Sequence, residues 1–297
     1  MVTTPIVERV QDTARWVAMA RALESERPDR LFEDPFARKL AGPRGEELVE
    51  ELSRGAGGTW PIVTRTHIID QLVAETVRAG VDAVVNLAAG LDSRPYRLAL
   101  PSKLTWIEVD LADVIEAKAE ALRQDTPACR LERIASNLAD VEERARLFAQ
   151  VRERFQRTLV ITEGLLCYLP PEAAVGLGRA LLSMHPYRWV TDLNNTAVNR
   201  YVAKQTRHGL QGTAVMQFGV DDGTSVFEAM GWRTIHVDSI FKTAGVLKRL
   251  SFPMSLFSRL PEKRFGRPGA PWTGVCVLAP EPSVGSRASP GSDASRR

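Results

Sequence analysis

From residue 82 to residue 193 the chain alternates short apolar runs with stretches in which apolar residues recur every three or four positions. The runs at 83–87, 105–109, 159–162 and 189–193 predict strands buried on both faces, with a weaker one at 130–135. The helical spacings fall between them, at 111–123, 140–155 and 171–184, the last opening on a proline suited to a first helical position. Upstream the pattern is helical only. Residues 10–25 predict a surface helix, 35–40 and 46–52 two short ones, and 63–79 a longer one after the loop SRGAGGTWP. Downstream, 194–250 is weakly patterned, with a helix expected at 225–230, a strand at 234–237 and a helix at 239–248. A last strand is expected at 272–278, and the Pro/Ser/Gly-rich end, 281–297, predicts disorder.

Alternating strands and helices specify a parallel sheet covered on both faces, with right-handed crossovers. Ligands of such sheets lie beyond the C-terminal strand ends, which here are residues 87–90, Asp110, Asn137 and Glu163. The first of these ends opens the turn AAGLDSRPYR. A dinucleotide fingerprint would place glycines where the chain has Ala88, Gly90 and Ser93, so two of three are missing, and the lysine of a phosphate loop is absent. A small-residue turn that lets backbone approach a ligand, a plain strand-to-helix connection and a degenerate dinucleotide site all remain open on this basis. Asp110 follows Gly90 by 20 residues, the interval at which an acidic side chain meets a nucleotide ribose; a helix cap is its alternative role.

The 297 residues, 44% of them hydrophobic, suffice for one large domain. Lys and Arg total 39 against 36 Asp and Glu, a balance that supplies no strong field for nucleic acid. Cys129, Cys167 and Cys276 are too far apart for a disulfide framework or a paired zinc motif, and His185, His208 and His236 lack ligand spacing, so no metal site is expected and a reducing cytoplasm is the simplest setting. The N-terminus lacks the uninterrupted apolar core of a signal peptide, no run approaches a membrane span, and neither nucleic acid nor membrane is expected as a partner. Lys242, Lys248 and Arg249 read as a solvated helix face.

Taken together, VVNLAAGLDSRPYRL, WIEVDLADVIEAK and TEGLLCYLPPEAA resemble the leucine carboxyl methyltransferase family, in its bacterial branch of S-adenosylmethionine-dependent O-methyltransferases, which is similar to polyketide carboxyl methyltransferases. The resemblance extends to DTARWVAMARALESERPDRLFEDPFA, RTHIID, GW at 231–232 and PWTGVCVL. It implies a doubly wound, mostly parallel seven-stranded sheet of the class I methyltransferase, Rossmann-like type. The division it suggests is a helical lid over 1–80, a cofactor-binding domain over 81–280 with an insertion at about 194–223, and the tail.

Carried over residue by residue, it implies that backbone at Ala88 to Gly90, where the family usually begins with glycine, approaches the methionine part of S-adenosylmethionine. Asp110 then accepts from both ribose hydroxyls. Asn137 meets the adenine amine in place of the family's aspartate, and Leu138 packs on the ring. Arg65 grips the methionine carboxylate with a bidentate fork, and Glu163 holds the ammonium. Arg94 and Tyr96 are placed on the substrate side, with a brace for the loop as the other role for Arg94, and Asp92 is expected to cap the helix near Pro95. The implied reaction is methyl transfer to a small-molecule oxygen, a carboxylate first. An ionised carboxylate needs no general base, so positioning carries the catalysis; for a hydroxyl acceptor His67 or Tyr168 would be the base. A nicotinamide-dependent oxidoreductase and a ligand-sensing protein without turnover are the rival readings.

Overall fold

The computed structural model describes residues 10–55, 58–205, 215–261 and 271–282, so most of the tail expected to be disordered lies outside the described residues. Seven strands form one sheet: β1 (Ala83–Leu87), β2 (Thr105–Asp110), β3 (Arg130–Ala135), β4 (Thr158–Thr162), β5 (Arg188–Asn194), β6 (Trp232–Ser239) and β7 (Thr273–Pro280). Their spatial order is β3-β2-β1-β4-β5-β7-β6. The first five run parallel, and β7 is antiparallel to both of its neighbours. The reversal of strand order on either side of β1 makes its C-terminal end the switch point at which such sheets open a crevice.

Eleven α-helices are described. Three precede the sheet: α1 (Val10–Ser25), α2 (Ala37–Gly55) and α3 (Trp60–Arg78). The rest are α4 (Arg94–Arg97), α5 (Ala112–Ala121), α6 (Val141–Arg154), α7 (Pro171–Leu181), α8 (Thr196–Gln205), α9 (Ser225–Glu228), α10 (Ile240–Val246) and α11 (Met254–Phe257). Successive strand residues point to opposite faces, and the core divides accordingly. Val85, Leu87, Ile107, Val109 and Val160 pack with Leu147, Phe148 and Val151 of α6 and Leu177 and Leu181 of α7. On the other face Val84, Trp106, Leu159 and Ile161 pack with Ile68, Ile69 and Val73 of α3 and Ile240 of α10. The third helix of the region read as a lid is therefore also part of the sheet's own covering layer.

Three expectations need correction. The α1 helix is no surface helix: Ala18, Met19, Ala20 and Ala22 are buried, and a separate cluster joins them to Ala37 and Ala41 of α2, where small residues let the helices approach closely. The two short helices expected at 35–40 and 46–52 are present and meet at a kink at Gly42, whose φ of 62° breaks the helical path ahead of Pro43. The second of them runs on to Gly55, into the stretch expected as a loop from residue 53. Arg249 is not solvated, since its side chain is 5% exposed and pairs with the buried Glu24 of α1 at 2.7 Å. Helices α8 and α11 lie in the weakly patterned region and were not expected.

Candidate functional site

The turn after β1 places Ala88 at φ 53° and Gly90 at φ 47°, both in the left-handed region. What holds this conformation is one carboxylate. Oδ2 of Asp110 accepts from the Gly90 N–H at 2.7 Å, while Oδ1 accepts from the Leu111 N–H at 2.8 Å at the entry to α5. Burial pushes the Asp110 carboxyl above the usual aspartate range, and the two N–H donors only partly offset it. Each oxygen retains a second lone pair, so the clamp and a ligand can share the carboxylate.

A Cβ in the left-handed region costs about 1–2 kcal/mol, and glycine there costs less than that in chain entropy. Ala88→Gly is therefore expected to raise folding stability by about 0.5–1 kcal/mol, read as a shift of the urea midpoint at constant slope.

Around the turn lies a chain of ion pairs that reaches from α1 to the end of β5. Arg21 donates to the Leu91 carbonyl at 2.6 Å and to Asp34 at 2.8 Å, and Asp34 also accepts from Ser93 at 2.6 Å. Arg97 lies 3.6 Å from Asp34 and donates both terminal nitrogens to Asp70 at 2.7 Å. Asp70 further accepts from Arg94 Nε at 2.7 Å. Nη1 of Arg94 is shared between Asp92 at 2.8 Å and Glu163 at 2.7 Å. Glu163 then takes Arg65 Nε at 2.9 Å, and Arg65 Nη1 reaches Asp192 at 2.9 Å. Asp192 closes the chain by accepting the Gly164 N–H at 2.7 Å.

Burial opposes ionisation of Asp34, Asp92 and Glu163, and the arginines overcome it, holding all three below the usual carboxylate range. Four guanidiniums thus face five carboxylates, an excess of one negative charge.

The structure brings Arg65 and Glu163 together, and Gly164 beside the guanidinium has a φ of 63°, a left-handed conformation that favours glycine. Their remaining lone pairs and N–H groups, Arg65 Nη2 among them, are the part of the pair open to a ligand. Of the two roles considered for Arg94, the brace is the one formed: its side chain is 2% exposed. Tyr96 accepts from Arg133 at 2.7 Å and packs its ring against that of Phe36 at a tilt of 53°, which ties it into the fold. Asp92 does accept the Arg94 N–H at 2.9 Å, as a cap would, while its other oxygen serves Arg94 Nη1 and Asn86.

Asn137 is exposed at the end of β3, its side-chain oxygen accepting from the Ala139 N–H at 3.1 Å in a local turn. Leu138 beside it is half-buried against the core. His67 is half-buried and its imidazole makes no hydrogen bond or ion pair among the described residues, so nothing joins it to the cluster. Tyr168 is hydrogen-bonded to Thr13 of α1, and burial pushes its phenol well above the ordinary tyrosine value. That shift keeps the phenol protonated near neutral pH, so the form that could accept a proton is scarcely populated.

Asp192 is the residue that sequence reasoning missed. Asp192 lies inside β5, short of its end at Asn194, so the strand-end rule that selected Asp110, Asn137 and Glu163 does not reach it. Asp34 and Asp70 carried no signal either, since each meets its arginines only through the packing of α2 and α3.

The leucine carboxyl methyltransferase family model matches residues 14–181, more than half of the chain. A Streptomyces coelicolor protein, provisionally named an S-adenosyl-L-methionine-dependent methyltransferase, is 39% identical over 171 residues, 54% of this chain and 60% of that one. One from Mycobacteroides abscessus with the same provisional name is 36% identical over 191 residues, 60% of this chain and 62% of that one. The matched stretch therefore spans less than two thirds of either relative. The solved structure of a DUF574 family protein from Streptomyces avermitilis covers 91% of this chain and 97% of its own, with a TM-score of 0.55 at 13% identity, a likeness of fold alone.

Proposed function

The chain belongs to the leucine carboxyl methyltransferase family, and from that premise we propose that it binds S-adenosyl-L-methionine and directs methyl transfer to an oxygen of a small molecule, a carboxylate first. What supports this reading is that Asp110 and Glu163 stand at the ends of β2 and β4, the two neighbours of β1, that Asp110 is joined to the turn through Gly90 and Glu163 through Arg94 and Asp92, and that Arg65 is held on Glu163, with lone pairs of both carboxylates left over. The residues fit the cofactor chemically. Asp110 suits a ribose diol, the free edge of Arg65 a carboxylate, and the excess negative charge of the buried cluster a ligand that carries a net positive one. When bound, the cofactor supplies an electrophilic methyl on a sulfonium.

The chain's own groups then do three things. Asp110 fixes the turn and the ribose in one register. Arg65, held by Glu163 and Asp192, is locked in orientation before any ligand arrives, so less entropy is lost on binding. Helix α1 covers the turn through Arg21 and reaches Tyr168 through Thr13, which excludes water. On the acceptor side the return limb of the insertion is pinned to the strand ends: Gln217 and Phe218 donate to the Cys167 carbonyl at 2.7 and 3.1 Å, and Val220 to that of Asn194 at 2.9 Å. The acceptor is chosen between this limb and α1.

Titration calorimetry with S-adenosyl-L-methionine and with NAD tests the cofactor. Binding of the first and not the second is expected, and the reverse would reject the reading. A methyl-transfer screen over carboxylated small molecules, followed by mass, tests the acceptor. Asn137→Asp is expected to retain or tighten cofactor affinity, because it restores a charged acceptor for the adenine amine; a large loss by calorimetry removes Asn137 from the site.

A further inference from the structure

Residues 240–261 contain no Asp or Glu and carry Lys242, Lys248, Arg249 and Arg259. Within this stretch the usual distribution of side chains is inverted. Ser258 is buried, 6% exposed, whereas Val246, Phe252, Leu256, Phe257 and Leu260 are 80, 82, 54, 56 and 57% exposed. A short helix packed for stability turns its large apolar side chains inward, and α11 does the opposite. Nor is it loosely attached. Ser258 sits so close to Gly245 that a Cβ there would fall 2.0 Å from its hydroxyl oxygen. Lys242 Nζ donates to the Ser258 carbonyl at 2.8 Å and to that of Leu260, satisfying carbonyls beyond the end of α11. The fold therefore spends a lysine and a glycine on holding a hydrophobic face outward.

The charges around that face select what it meets. Arg249 is used internally, against Glu24 and Asp29. Lys248 and Arg259 are exposed and enter no ion pair among the described residues. A two-fold contact between copies of this chain would bring the same surface together with itself, facing cations with cations and offering no acid from this stretch to either. An anionic lipid surface complements both features, because aromatic and aliphatic side chains enter the headgroup boundary while Lys and Arg stay at the phosphates. No described helix is long and apolar enough to cross a membrane.

We propose that Val246, Phe252, Leu256, Phe257 and Leu260, flanked by Lys248 and Arg259, form a docking face for an anionic lipid surface. This is independent of the methyl-transfer reading and adds peripheral membrane contact, against the expectation of no membrane partner.

The test is co-sedimentation of the full chain with vesicles of phosphatidylcholine alone and of phosphatidylcholine with phosphatidylglycerol, beside sedimentation equilibrium without lipid. Binding to the phosphatidylglycerol vesicles is expected, weakening as salt is raised. Lys248→Glu with Arg259→Glu should lower the partition by at least about fivefold per cation, and Phe252→Ser with Phe257→Ser should abolish it. All four side chains are on the surface, so unchanged melting midpoints will show that both double variants fold. Absence of binding to anionic vesicles at low salt overturns the proposal. So does binding that survives loss of the two phenylalanines. A dimer that dissociates in the phenylalanine variant, without vesicle binding, assigns the face to a second copy and overturns it as well.

Discussion

Arg94→Ala is expected to lower folding stability by about 3–5 kcal/mol, the range for removing one partner of a buried ion cluster. Its guanidinium touches Asp70, Asp92 and Glu163, and the side chain is 2% exposed. Removal leaves three buried arginines against five carboxylates, with Asp92 retaining only Asn86 as a side-chain partner among the described contacts. The cost lies in the charges left behind and not in the lost contacts alone. It therefore depends on pH with a definite sign. In the intact protein the Asp34, Asp92 and Glu163 carboxyls are held below their ordinary values. Their contribution is then complete above about pH 5 and is lost as the pH falls through the depressed values. In Arg94→Ala the stranded carboxylates rise instead and take up protons at higher pH. The deficit is thus widest at neutral pH and narrows on acidification. Urea midpoints from pH 7 to pH 3 measure both curves, and parallel curves would show that Arg94 acts by packing. Arg38, which pairs with Glu26 and Glu46 on the surface, is the matching control; its loss should leave the midpoint unmoved within error.

The alternation that predicted five parallel strands was legible because each strand of the sheet's centre is buried on both faces, so period and hydrophobicity carry the same message. The strands β1 and β3 start and end where the pattern places them, β6 extends past the expected 234–237 at both ends, and β7 lies offset toward the C-terminus from the expected 272–278. What failed were positions where tertiary packing overrides the local pattern. The polar-looking α1 helix is buried because its alanines meet those of α2, a partner that no periodicity identifies. Arg249 reads as solvated until Glu24, 225 residues away, arrives beside it. The turn and Asp110 were legible as a pair because their spacing is set by a single strand–helix–strand unit. The arginine–carboxylate chain was not, since Arg21, Asp34, Asp70 and Asp192 come from four separate elements or connections and carry no shared spacing. That difference has a consequence for the cofactor site. The ribose end rests on local sequence, whereas the methionine end rests on an assembly of distant segments, and the two ends should fail in different ways.

Asp110→Ala separates them. It removes the acceptor of the Gly90 and Leu111 N–H groups and, on the proposed reading, of both ribose hydroxyls. Hydrogen bonds to a charged acceptor contribute about 1.5–3 kcal/mol each, so the loss of two corresponds to a fall in cofactor affinity of about a hundredfold or more. Stability should fall by about 1–3 kcal/mol, the cost of leaving buried donors unmade. The decisive comparison is with adenosine, which has the ribose and lacks the methionine. Asp110→Ala should weaken adenosine and S-adenosyl-L-methionine by the same factor, since both lose the same two bonds. Arg65→Ala should weaken only the whole cofactor and leave adenosine where it was, because Arg65, Glu163 and Asp192 gather at the other end. Calorimetry of the two ligands against the two variants gives four affinities. If Asp110→Ala lowers the melting midpoint and changes neither affinity, the carboxylate is a clamp for the turn and nothing more. If Arg65→Ala weakens adenosine as strongly as the cofactor, its effect is transmitted through the fold, and the methionine end has to be sought elsewhere.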